Sequence, residues 1–134
     1  MMLINKDKNI LIIKKNATIT KNLRFNGKIV AGANCCFLGS IECEELYLAK
    51  GCDVCGEIIC KKAVIGAFTR FNVIKAEDVL VLKGCIGNKI IAKGDVRIAG
   101  ECVIKDVSTE NYLLIEGNSK IGKMNARRII AYEM

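Results

Sequence analysis

The phrase Gly39-Ser40-Ile41-Glu42-Cys43 decides the fold, because it returns along the chain. It recurs as Gly56-Glu57-Ile58-Ile59-Cys60, Asn72-Val73-Ile74-Lys75-Ala76 and Asn88-Lys89-Ile90-Ile91-Ala92. It recurs twice more as Lys105-Asp106-Val107-Ser108-Thr109 and Gly122-Lys123-Met124-Asn125-Ala126. Successive starts lie 17, 16, 16, 17 and 17 residues apart. A fixed period of this length is the mark of a solenoid, in which each repeat buries its apolar side against its neighbours.

The columns of the repeat have physical content. The third position is always apolar and the fifth always small. Apolar residues two apart follow at Leu46 and Leu48, Ala63 and Ile65, and Val79 and Val81. They continue at Val96 and Ile98 after a one-residue insertion, Tyr112 and Leu114, and Ile129 and Ala131. A third set falls at Cys35 and Phe37, and at Cys52 and Val54. Ala17 and Ile19 precede it in phase, with Leu11 and Ile13 ahead of them. Spacing by two is strand periodicity, one side chain in and the next out. Three such segments per coil give an all-β, single-domain parallel β-helix of about 16–17 residues per coil and roughly seven coils. Residues 1–16 form a basic segment and first coil; residues 17–132 form the repeat body. No window sustains helical periodicity.

Composition fits this reading. The 134 residues include no proline, tryptophan or histidine, and 51% are hydrophobic while only 5% are aromatic. A core without large rings must be stacked from small branched side chains, as in a sheet. Six of the eight cysteines pair off at 17-residue intervals, Cys35 with Cys52, Cys43 with Cys60, and Cys85 with Cys102, as ladders of small apolar side chains. The sequence shows no secretory signal pattern, which points to reduced thiols and a cytoplasmic location.

Chemistry is suggested in places and then withdrawn. Cys52-x-x-Cys55 with Cys35-Cys36 resembles half of a zinc site, but four thiolates would have to converge and the ladder already accounts for Cys35 and Cys52, so no metal is expected. Gly117-Asn118-Ser119-Lys120-Ile121-Gly122-Lys123 begins like a phosphate-binding loop, but Met124 stands where Ser or Thr would hold magnesium. No nucleotide or other cofactor follows. Hexapeptide-repeat acyltransferases share a coiled architecture, yet they repeat every six residues and use a histidine base. This chain has neither property and is expected not to be an enzyme, with no catalytic residue assigned.

Charge is uneven. Residues 1–28 hold seven basic side chains against Asp7, whereas the rest of the chain is nearly neutral, which argues against nucleic acid as a partner. Met2, Leu3 and Ile4 followed by Lys6 and Lys8 combine apolar insertion with positive charge, a signal for an anionic membrane surface. Leu11 and Ile13 at one end, and Ile129, Ile130 and Tyr132 at the other, are read as bare terminal coils through which copies stack on one another. The competing reading is a non-polymerising binding module that offers one flat face to a protein or anionic partner.

The repeated phrase with its paired aliphatics, over about residues 17–132, resembles the bactofilin family of polymer-forming cytoskeletal proteins. The resemblance implies a right-handed, three-faced β-helix that polymerises end to end without nucleotide, often at the inner membrane face. Bactofilins commonly carry proline-containing disordered tails, which this sequence lacks, and the cysteine content here is unusual.

Overall fold

The structure, a computed structural model, describes residues 2–132. Among them there is no helix. Eighteen strands wind into seven coils of about 17 residues, plus one strand of the next. The parallel ladders match the repeat: Ile41, Ile58, Ile74, Ile90, Val107 and Met124 lie in one column, each opposite the next. All but Met124 are fully buried. With ~4.8 Å between strands, seven rises make a rod on the order of 35 Å long.

One wall runs the whole length. Its strands are β1 (Met2–Asn5), β2 (Ile10–Ile13), β5 (Lys28–Ala31), β8 (Glu45–Leu48), β10 (Lys62–Ile65), β12 (Asp78–Val81), β14 (Val96–Ile98), β16 (Tyr112–Glu116) and β18 (Arg128–Tyr132). The remaining wall starts as separate short strands, β3 (Thr18–Ile19) and β4 (Leu23–Arg24), then β6 (Cys36–Phe37) and β7 (Ile41–Glu42). From the third coil the two segments join as β9 (Asp53–Ile59), β11 (Arg70–Ala76), β13 (Ile86–Ala92), β15 (Val103–Thr109) and β17 (Lys120–Asn125). Three strand segments per coil therefore hold for the first two coils only. Later coils use two strands, and the joined one keeps an irregularity between Phe71 and Val73.

Two features depart from the sequence reading. In the fifth repeat the inward pair is Leu113 and Ile115, opposite Val96 and Ile98, while Tyr112 and Leu114 face outward. The cause is a second one-residue insertion: Leu113 lies four positions after Thr109, where Val79 lies three after Ala76. A one-residue shift exchanges the two faces of a strand. The other departure is β1, which runs antiparallel to β2, with Met2 opposite Ile13 and Ile4 opposite Leu11. Asn9, at φ 54°, closes the hairpin in the left-handed region that Asn tolerates.

The corner after each strand of the long wall from β2 to β16 is also left-handed. Asn16, Asn34, Gly51, Phe68, Gly84, Glu101 and Gly117 all have φ between 58° and 71° and recur once per coil. The inner columns trade size between levels, as where the Phe71 ring occupies the space into which a Cβ on Gly87 would project. Gly87→Val should cost about 1–3 kcal/mol by overpacking, and Ile74→Ala about 2–5 kcal/mol by leaving a cavity. Urea unfolding checks both, with exposed Lys75→Ala changing the midpoint little.

Candidate assembly surfaces

The buried thiols belong to the corner rather than to any reactive centre. Ala17, Cys35, Cys52, Thr69, Cys85, Cys102 and Ser119 occupy equivalent places one coil apart. The four cysteines and Ser119 donate to corner carbonyls below. Cys35 Sγ donates to Lys14 O at 3.2 Å, Cys52 Sγ to Gly32 O at 3.4 Å and Cys85 Sγ to Gly66 O at 3.2 Å. Cys102 Sγ donates to Leu82 O at 3.2 Å and Ser119 Oγ to Ala99 O at 2.7 Å. Thr69 Oγ1 and Ser119 Oγ also accept the backbone N–H groups of Cys52 and Cys102. A small side chain with one donor fits each level. Nothing in the spacing alone disclosed that donor role, although Thr69 and Ser119 in the cysteine column were a signal for it. Among the described residues no three Cys, Asp or Glu side chains converge.

Burial raises the Cys43, Cys52 and Cys60 thiols. Cys43 is pushed from the ordinary value near 9 up to about 12, first by burial and then by Glu42, Glu44 and Glu45. Burial, followed by the neighbouring Cys43, pushes Cys60 to about 12 as well. The hydrogen bond with Cys102, together with burial, pushes Cys85 up. Cys55 is exposed.

The two ends of the rod are different. At the C-terminal end β17 and β18 are the last strands of their sheets, and nothing among the described residues stacks beyond them. Met124 and Ile129 lie in inward columns yet are 45% and 44% exposed, and Ala131 is exposed beside them. Ile121 and Ala126 are half-buried. An open cleft of about 840 Å³, lined by Ile104, Ile115, Ile121, Met124, Ala131 and Tyr132 among others, forms this end. Its lining carries lysines but no carboxylate or thiol.

At the N-terminal end the hairpin changes the picture. Leu11 and Ile13 are core residues, 4% and 1% exposed, so they are not the bare surface that the sequence suggested. Strand β1 supplies the next level of backbone pairing and places Met2 and Ile4 on the same side as Ile13 and Leu11. Those two side chains, 46% and 60% exposed, are the apolar groups at this end. Leu3 points the other way, with Ile12, so Met2, Leu3 and Ile4 are split between two surfaces. Lys6 and Lys8 lie exposed in the hairpin loop. Of the C-terminal residues, Ile129 faces the end and Tyr132 lines its cleft, whereas Ile130 alternates with Ile129 and faces outward from the wall. Met124, Ile121 and Ala131 were missed as end residues, although their columns were legible.

Both ends are basic. Residues 117–132 carry Lys120, Lys123, Arg127 and Arg128 and no acid, and residues 1–28 carry seven basic groups and one acid. Between them, residues 29–116 hold 10 basic and 12 acidic side chains. No helix among the described residues is long and apolar enough to cross a membrane. No protein-family model, curated protein or solved structure matches the chain.

The raised thiols set a pH dependence. A pKa higher in the folded than in the unfolded chain means that the folded state keeps its proton longer. This contribution is complete below about pH 9 and is lost as pH rises from there toward 12. The urea midpoint should therefore fall over that range, and Cys43→Ala with Cys60→Ala should make the fall shallower. An unchanged slope would show that these thiols do not titrate with folding. In the native protein at about pH 8, a thiol reagent should reach Cys55 first and the buried ladder only after denaturation.

Proposed function

We propose that this protein is a non-enzymatic structural element that assembles end to end into filaments, a bactofilin-like cytoplasmic scaffold. The observation that carries the reading is the uncovered core at the C-terminal end, where Met124, Ile129 and Ala131 continue the inward columns. A second copy stacked there would extend both the apolar columns and the hydrogen-bond ladders of β17 and β18. An open, non-closing contact of this kind propagates as a fibre. At the N-terminal end Met2 and Ile4 present the corresponding apolar side chains, and β1 presents an unpaired strand edge.

Charge opposes this contact. Any junction between two ends brings lysines and arginines together, so screening favours assembly. Raising the ionic strength from about 10 mM to about 300 mM, where the Debye length falls from ~30 Å to below 10 Å, should lower the critical concentration. Sedimentation and negative-stain microscopy read that change. Met124→Glu or Ile129→Glu should raise the critical concentration at least tenfold with the fold intact by circular dichroism. Discrete particles of wild-type protein at every salt and concentration would contradict the reading.

Association with an anionic membrane is part of the same proposal, with Leu3, Lys6 and Lys8 as contacts. A filament would multiply a weak single-copy affinity by avidity. Deleting residues 1–8 should abolish flotation with phosphatidylserine vesicles; unchanged flotation would remove the N-terminus from the contact.

A further inference from the structure

The long wall has an outer surface that the end junction does not use. Its outward column contains Ile12, Val30, Tyr47, Val64, Leu80, Arg97, Leu114 and Ile130, and β1 extends it with Leu3. A solvent-facing column of a one-sided sheet should alternate apolar-in with polar-out. The outward column of the other wall is mainly polar, running Arg24, Glu42, Ile59, Lys75, Ile91, Ser108, Asn125. That of the long wall is not. Its one charged member, Arg97, is tied by Nε to Glu116 Oε1 at 2.6 Å. An apolar stripe of this kind, interrupted once at Arg97, marks an interaction surface.

We infer that this stripe binds a second copy of the chain laterally, the two rods lying face to face and antiparallel. The flanking column fixes the arrangement. It reads Lys28, Glu45, Lys62, Asp78 at four successive levels, alternating in sign. A twofold axis along the strands, between β8 and β10, sets Lys28 against Asp78 of the other copy and Glu45 against Lys62. All four pairs so formed are attractive. The same operation lays Tyr47 against Val64, Val30 against Leu80 and Leu3 against Leu114, while β18 overhangs and stays free for an end contact. Parallel rods would bring the charged column against the opposite margin, where Gly32, Ala49 and Gly66 offer no partner. Lys28 and Lys62 already lie at the edge of the stripe, with their Nζ atoms 4.6 and 5.8 Å from the Tyr47 ring centroid.

Area supports a second copy as the occupant. Eight levels at ~4.8 Å and strands about 13 Å wide give about 500 Å² per copy, roughly 1,000 Å² in all, the lower bound for a specific interface. The flanking column carries both signs, which suits this chain better than an anionic lipid surface.

The test uses full-length protein carrying Met124→Glu and Ile129→Glu, so that end contacts and lateral contacts are read separately. Sedimentation velocity from about 1 to 200 µM should show a monomer–dimer equilibrium. Val64→Glu or Leu80→Glu should weaken it at least tenfold, circular dichroism confirming the fold of whichever variant is read. Glu45→Lys and Lys62→Glu should each weaken it, and the double swap should restore it. The proposal is overturned by a monomer at every concentration, by a dimer indifferent to Val64→Glu and Leu80→Glu, or by a double swap that fails to restore. Val64-dependent flotation of a monomer with phosphatidylserine vesicles would assign the stripe to lipid instead and equally overturn it.

Discussion

Everything in this molecule depends on one constraint: each coil must lie in register on the coil below. In-register stacking lets a strand satisfy its backbone on both edges while its inward side chains meet the same column above and below. Ile58, Ile74 and Ile90 are fully buried because every level repeats the same choice at the same place. The absence of proline follows, since an internal strand has no edge on which a missing N–H is harmless. The corners obey the same rule. One residue per coil turns left-handed, and a small donor beside it reaches a carbonyl below. That suits cysteine and serine to one column, in which Thr69 instead accepts the Cys52 N–H, and no buried side-chain nitrogen or oxygen among the described residues lacks a partner.

The constraint ends where the rod ends, and the functional reading begins there. An inward column that stops leaves its last members exposed, as Met124 and Ile129 are. The N-terminal end is treated differently, because β1 folds back to continue the ladder in the antiparallel sense. The ends therefore have different edges but the same charge. Apolar contact favours a junction while like charge resists it, which makes assembly responsive to ionic strength. Sideways, the outward stripe offers a contact with charges of both signs that does not meet this opposition.

Much of this was legible in the sequence because period and phase are one-dimensional. The columns through Ile41, Leu46 and Cys35 could be read directly, and the ladder pairs confirm them. Phase was lost at Tyr112 and Leu114, where a second insertion left an alternation that looked equally good one residue away. The hairpin was not legible, since Met2-Leu3-Ile4 followed by lysines has the same composition as a lipid-binding arm; only pairing separates them. The end residues were half legible. Leu11 and Ile13 belong to a core that β1 covers, and Ile130 is turned away from the end by the alternation, while Tyr132 lines the end cleft. The lateral stripe was hidden because the repeat draws attention to inward positions, while the surface is made by the ones between.

Hydrogen–deuterium exchange measured against protein concentration tests the stacked-end account most directly. Amides of β17, β18 and β1 should gain protection as concentration rises through assembly, while those of β11 and β13 stay equally protected throughout. Exchange at β17 and β18 that is fast and independent of concentration, in protein that nonetheless forms filaments, would show that the exposed end of the core is not where the copies meet.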